Sequence, residues 1–182
     1  MPQVARTQQR LAVRRPDLVQ VVIAHEFPWR FTRHRPSGVQ VVALAEIGSL
    51  VLGGRQGDAA EALLRAAYSY RDGSSVWDAF PEAWRQAARD NARATLVDFR
   101  NSIGSYPSPP ELATVQVPVV CTYGARSPTS MAGLVRSLSA TIPTASTQQI
   151  EGAGHAVNFD ATADFVQLIA DAITSLRSSG RR

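Results

Sequence analysis

Two residues in this sequence, Glu26 and His155, have the types and positions that acid–base chemistry needs. Each follows a predicted strand and lies in a loop, and His155 closes the glycine-containing segment Glu151–His155. A carboxylate beside an imidazole holds one ring nitrogen and leaves the other free to take and return a proton. The sequence therefore predicts that Glu26 and His155 lie side by side as an orienting acid and a general base.

The other histidines and the cysteine have no comparable placement. His25 and His34 are interpreted as structural or exposed side chains, and Cys121 lies inside an apolar stretch, which favours a core position over a nucleophile. A single cysteine excludes a disulfide within the chain and any metal site built from several cysteines. We predict no metal and no cofactor.

Glu26 and His155 can meet only if the strands before them share a sheet. The sequence predicts strands at Leu18–Ala24, Val115–Tyr123 and Thr147–Ile150, which alternate with amphipathic helices at Met131–Ile142 and Ala163–Leu176. Alternation of this kind favours a parallel sheet, and ligands of open α/β sheets bind at the carboxyl ends of the strands. We therefore predict an α/β fold with about three parallel strands and flanking helices.

A helical segment separates the first two predicted strands. Its three predicted helices are Val39–Leu52, Ala59–Tyr70 and a third from about Phe80 to Phe99. Asp58 is the predicted N-cap of the second helix, and Glu61 completes a capping box. Residues 38–100 are predicted to form a helical cap (lid) insertion. Residues 1–37 and 101–182 are predicted to form a partial α/β core that begins with a short helix at Val4–Arg15 and includes a linker at Ser102–Pro110.

Composition and charge exclude several classes of protein. The chain has 182 residues, 45% of them hydrophobic and 19% charged, which is an ordinary globular balance. All 19 basic residues are arginine, and the net charge of +4 comes from the two ends of the chain, without the interleaved aromatics of a nucleic-acid interface. No apolar run is long enough to span a membrane, and no signal peptide is visible. We therefore expect a soluble, cytoplasmic protein that binds neither nucleic acid nor membrane.

Several of these segments, in this order, resemble the C-terminal portion of the α/β-hydrolase superfamily. Gly152-Ala153-Gly154-His155 is similar to its histidine loop, and Val117–Gly124 is similar to its penultimate strand. Arg15–Val19 followed by Val21–Glu26 is similar to the stretch behind the nucleophile elbow, and the helical segment is similar to the cap over the active site. In much of the superfamily an acid follows the penultimate strand, where this sequence has Ser127. The position of Glu26 matches the acid of the haloalkane dehalogenases and their relatives instead.

The resemblance implies hydrolysis of an ester or related bond in a small-molecule substrate by a Ser-His-Glu type triad. His155 is the implied base and Glu26 its orienting acid, while Phe27 and Trp29, with apolar cap residues, are expected to line an acyl pocket. The sequence contains no Gly-x-Ser-x-Gly elbow. The family's spacing puts the nucleophile at about position 2, which is Pro2. We therefore expect the nucleophile segment to be missing from this chain and the isolated chain to be inactive.

Two further expectations follow from a missing nucleophile segment. The alternative to an enzyme is a catalytically inactive remnant that acts, if at all, as a binding or interaction module. In either case Leu18–Ala24 lacks a neighbour on one side and is apolar on both faces, which favours pairing with another copy or with the missing N-terminal half. We therefore expect the chain expressed alone to self-associate.

Overall fold

In the part of the chain that the structure describes, three parallel strands form the sheet. The computed structural model describes residues 10–27, 38–102 and 107–179. Strands β1 (Val22–His25), β2 (Val119–Gly124) and β3 (Ala145–Ile150) lie in the order β1-β2-β3. Their register pairs His25 with Thr122 and Thr122 with Gln148, so all three strands end at the same edge of the sheet. The predicted α/β class and parallel sheet are confirmed.

The first two strands begin later than the sequence predicts. Pro16–Leu18 form a 3₁₀ turn instead of the start of β1, since proline presets the backbone angle of a first helical residue. The backbone amide of Val115 bonds to the carbonyl of Leu112, which keeps Val115 in a turn before β2. These local hydrogen bonds occupy the groups that a longer strand would pair.

Helices cover both faces of the sheet. On one face Val22 and Cys121 pack with Ala12 of helix α1 (residues 10–14) and with Val135 of α7 (Thr129–Ser139). On the opposite face Ile23 and Val120 pack with Leu168 and its neighbours in α9 (Thr162–Ser179). Successive strand residues thus face opposite layers, as the period of two in a strand requires. Between these helices lie two short ones, α6 (Pro109–Leu112) and α8 (Val157–Asp160).

Helix α6 begins inside the segment that the sequence predicts as a linker. Ser108 and Glu111 form a reciprocal capping box at its start, and Leu112 is buried in the core. The proline-rich composition therefore marks a helix start here and not an open connection.

The helical block between β1 and β2 has two corrections to the prediction. Its elements are α2 (Gly38–Leu52), α3 (Gln56–Ala67), a 3₁₀ turn (Val76–Ala79), α4 (Glu82–Asp90) and α5 (Ala92–Ser102). The predicted third helix is wrong, because it is two helices that break at Asn91, and both pack on α3. The predicted cap at Asp58 is also wrong, because Arg55 is the N-cap and its side chain pairs with Asp58. No helix of the described residues has the length and apolarity to cross a membrane.

Candidate active site

Glu26 follows the last residue of β1 and points its carboxylate back into the protein. Its backbone has a φ of 42°, in the left-handed region that non-glycine residues seldom occupy, and only 1% of the residue is exposed. Oε1 accepts a hydrogen bond of 2.8 Å from the backbone amide of Gly124 at the end of β2. The neighbouring strand thus holds one oxygen of the acid, and the strained turn directs the other toward the histidine loop.

His155 lies beside that second oxygen. Its Nδ1 is 3.1 Å from Oε2 of Glu26, and a third of its side chain is exposed. Because a carboxylate only accepts hydrogen bonds, the neutral ring carries its proton on Nδ1. No described residue hydrogen bonds with Nε2. The structure therefore brings the two predicted residues together, in the tautomer that leaves Nε2 able to accept a proton.

The environment of Glu26 keeps it ionised. Burial raises the pKa of this carboxyl, but the hydrogen bond from His155 and the electrostatic attraction of the His155 and His25 rings lower it below its ordinary value. The buried hydroxyl of Ser127 also lowers this pKa, although Ser127 Oγ reaches hydrogen-bond geometry with no described residue. At neutral pH Glu26 is therefore a carboxylate, as an orienting acid must be.

His25 connects the ends of β1 and β2 to the histidine loop. Its Nε2 lies 3.0 Å from the carbonyl oxygen of Gly154, and its Nδ1 lies 3.0 Å from Oγ1 of Thr122. The carbonyl accepts only, so Nε2 is the donor and the Thr122 hydroxyl donates to Nδ1. Burial lowers the pKa of His25, which keeps it neutral. His25 thus has a structural position, whereas His34 lies outside the described residues.

Cys121 and Phe27 are core residues. Cys121 is fully buried in β2, and burial raises the pKa of its thiol to about 11, which leaves it uncharged at neutral pH. Phe27 packs in the same core cluster as Cys121 and is 2% exposed. Trp29 lies outside the described residues. The described residues contain no group of three or more His, Cys, Asp or Glu side chains suited to hold a metal ion.

Aromatic side chains of the helical block lie next to the imidazole, which the sequence did not predict. The Tyr68 ring is centred 5.7 Å from that of His155 and 5.4 Å from that of Phe80. Phe80 in turn lies 5.0 Å from Phe159 of α8, which is partly exposed. These residues are far apart in the sequence, and aromatic residues in a helical segment are usually core, so only their spatial grouping identifies them.

The fold of the described residues is similar to part of the α/β-hydrolase fold. No protein-family model and no curated protein sequence matches the chain. Similar solved structures include MGS-M2, an α/β hydrolase enzyme from a Medee basin deep-sea metagenome library. It has a TM-score of 0.68 and 10% identity, and the match covers 93% of this chain and 62% of that chain.

Two further structures have the same fold over the same share of this chain. The 2-hydroxy-6-oxo-6-phenylhexa-2,4-dienoate hydrolase of Rhodococcus sp. strain RHA1 has a TM-score of 0.65 and 13% identity, covering 93% of this chain and 60% of that one. The enol-lactonase of Burkholderia xenovorans LB400 has a TM-score of 0.64 and 17% identity, covering 93% and 62%. The chain thus has the α/β-hydrolase fold and spans about three fifths of the length of these structures.

Proposed function

We propose that this chain supplies the base and the orienting acid of an α/β hydrolase that cleaves an ester or related bond in a small molecule. The observation that carries the proposal is the arrangement of Glu26, whose Oε1 is held by the Gly124 amide while Oε2 meets Nδ1 of His155. A surface ion pair would need neither the burial nor the left-handed backbone of Glu26. Strained backbone of this kind is concentrated at functional sites.

In the proposed reaction, a serine hydroxyl attacks the carbonyl carbon of the substrate. His155 Nε2 takes the hydroxyl proton as the new carbon–oxygen bond forms, and Glu26 stabilises the resulting imidazolium. The tetrahedral intermediate then expels the alcohol, which receives that proton from Nε2. Water repeats the sequence on the acyl-enzyme, releasing the acid and restoring the serine.

We propose that the serine comes from polypeptide outside these 182 residues and reaches the site along the side of β1 that faces away from β2. The backbone amides of Val22 and Glu26 bond to β2, so the backbone groups of Val21 and Ile23 point the other way. An open groove of about 320 Å³ runs there, lined by Leu11, Val19, Val21, Val22, Ile23, Phe165 and Ile169. A parallel strand added in this groove would end at the same sheet edge as Glu26, next to Nε2.

The helical block is the proposed cap, and its aromatic residues form one wall of the acyl pocket. Tyr68 contacts the His155 ring, and Phe80 extends this aromatic surface toward Phe159. Flat apolar surface of this kind favours an apolar acyl group over a charged one. Phe27 and Trp29 remain predicted pocket residues, although Phe27 packs in the core and Trp29 lies outside the described residues.

The test is labelling with a fluorophosphonate probe, which reacts with activated serines. We expect no labelling of the 182-residue chain. A chain extended at its N-terminus by the residues encoded upstream should be labelled, and His155→Ala should abolish that labelling. Glu46→Ala, which changes an exposed carboxylate on α2, is the matched control and should leave it intact.

Two outcomes decide against the proposal. Esterase turnover by the isolated chain that survives His155→Ala would show that the site lies elsewhere. Failure of every extended form to react, or a stop codon in frame just before the first codon, would favour the inactive interaction module.

A further inference from the structure

One carboxylate joins the helical block to the backbone of the histidine loop. Oδ1 of Asp160, at the end of α8, accepts a hydrogen bond of 2.6 Å from the hydroxyl of Tyr70, which follows α3. Oδ2 of the same residue accepts a hydrogen bond of 2.8 Å from the backbone amide of Gly154. Gly154 precedes His155 directly, so Tyr70 is linked to the general base through a single side chain.

The Tyr70 ring also packs against the loop itself. Tyr70 is 7% exposed, and a Cβ added to Gly154 would lie 2.6 Å from Cε1 of the ring, so only glycine allows this approach. The guanidinium of Arg126 lies 3.5 Å from the ring centroid, and the Arg126 backbone amide donates to the carbonyl of Ala153 in the same loop. Tyr70 is thus held between the loop and a residue that binds the loop.

The hydroxyl of Tyr70 remains a donor over the range in which a hydrolase works. Burial, together with its hydrogen bond to Asp160, raises the pKa of Tyr70 to about 12. The bond to Asp160 therefore joins a neutral donor to an acceptor with formal charge, the stronger kind of hydrogen bond.

We propose that Tyr70 is a positioning residue that holds the histidine loop through Asp160 and so fixes the direction in which His155 presents Nε2. Asp160 holds the amide of Gly154 and His25 holds its carbonyl, while Glu26 holds the ring of His155. Together with the bond from the Arg126 amide to the Ala153 carbonyl, these contacts restrain the loop on several sides. The restraint through Asp160 includes Tyr70 of the helical block. The ring contact of Tyr68 with His155 and the backbone bond of Arg71 to Arg126 also join the block to this region, so the seating of the block and the geometry of the base are coupled. The inference rests on the proposed role of His155 as general base.

The test compares three variants of the 182-residue chain. Tyr70→Phe keeps the ring but removes the hydroxyl bond. Asp160→Asn keeps both links, because its oxygen accepts from Gly154 and its amide donates to the Tyr70 oxygen. Tyr123→Phe is the matched control, because Tyr123 is equally buried and its hydroxyl instead accepts from Arg136.

Two measurements report on the histidine loop and do not require the protein to be an active enzyme. The first is hydrogen exchange of the Gly154 amide, and the second is the downfield NMR signal of the His155 Nδ1 proton bound to Glu26. Tyr70→Phe should speed exchange at Gly154 about tenfold or more and broaden the Nδ1 signal, in keeping with the loss of a bond to a charged group. Asp160→Asn should retain most of the protection of the Gly154 amide against exchange, and Tyr123→Phe should match the unchanged chain. Urea unfolding of each variant separates loop opening from global loss of stability.

The inference is overturned if Tyr70→Phe leaves both signals unchanged, or if Tyr123→Phe alters them equally. In the extended, active form, Tyr70→Phe should lower kcat with little change in KM, and unchanged kcat would also overturn it. If no form of the protein is active, the proposed function fails, while the exchange and NMR signals still decide whether Tyr70 holds the loop.

Discussion

Replacing Glu26 by alanine is expected to lower the free energy of unfolding by about 2–5 kcal/mol. The substitution leaves two donors without an acceptor, the amide of Gly124 and Nδ1 of His155. A donor left unsatisfied in a buried site costs about 1–3 kcal/mol, and the partly exposed imidazole belongs at the lower end of that range because water can reach it. The expected loss is a large part of the roughly 5–15 kcal/mol that stabilises a domain.

Replacing Glu26 by glutamine is expected to cost less, about 1–2 kcal/mol. The glutamine oxygen can still accept from Gly124, while its amide donates to Nδ1 of His155, so the bonds survive without the charge. That amide moves the imidazole proton onto Nε2, which then cannot act as a base. The extended, active form should therefore lose about 10³–10⁴-fold in kcat, the scale of a wrong histidine tautomer.

Urea unfolding followed by tryptophan fluorescence measures both stabilities, and ¹⁵N chemical shifts of the histidine rings report the tautomer. Protein concentration must be equal in all samples, since self-association shifts apparent stability. Glu46→Ala, at an exposed carboxylate, is the control and should change stability by no more than about 0.5 kcal/mol. An alanine variant at position 26 as stable as the unchanged chain would refute the reasoning, as would a glutamine variant that keeps the proton on Nδ1.

Three other predictions use the same chain. Because its pKa is lowered in the folded protein, Glu26 contributes stability that is complete above its ordinary pKa of 4.5 and is lost as pH falls through the folded value. Unfolding midpoints between pH 3 and 6 should therefore fall less steeply with acid in Glu26→Gln. In a thermal melt Gly124→Ala should lower Tm, since its Cβ would overlap the histidine-loop backbone. Gly133→Ala, in open space on α7, should raise Tm. In light scattering after size exclusion, Val21→Glu should bring a self-associated chain toward 19.6 kDa, and Leu18→Glu, outside the groove, should not.

The sequence was sufficient to predict the layers of the fold and the proximity of Glu26 and His155. Apolar, β-branched segments alternate with amphipathic ones, and this order alone favours a parallel sheet whose strand ends meet. Glu26 and His155 were predicted as partners because each follows a strand of that sheet, and their atoms lie 3.1 Å apart. The resemblance to α/β hydrolases used the same order of segments, and the fold agrees with it.

The tertiary structure decided which partners local motifs take. Asp58 and Glu61 have the spacing of a capping box, yet Asp58 pairs with Arg55, and Glu61 bonds to Arg89 and to the indole of Trp77. A cap contributes about 1 kcal/mol, so the bonds of Glu61 to Trp77 and Arg89, which packing brings close, easily replace it. The spacing of a motif can be read from the sequence, but the sequence does not show which other residues will compete for its side chains.

The link between Tyr70 and Asp160 is the clearest case of what only the tertiary structure determines. Ninety positions separate the two residues, and neither belongs to a motif that spacing would reveal. Periodicity predicts which face of a helix is buried, because burial depends on hydrophobicity averaged over several turns. It does not predict which hydroxyl meets which carboxylate, because that depends on the position of one whole layer relative to another.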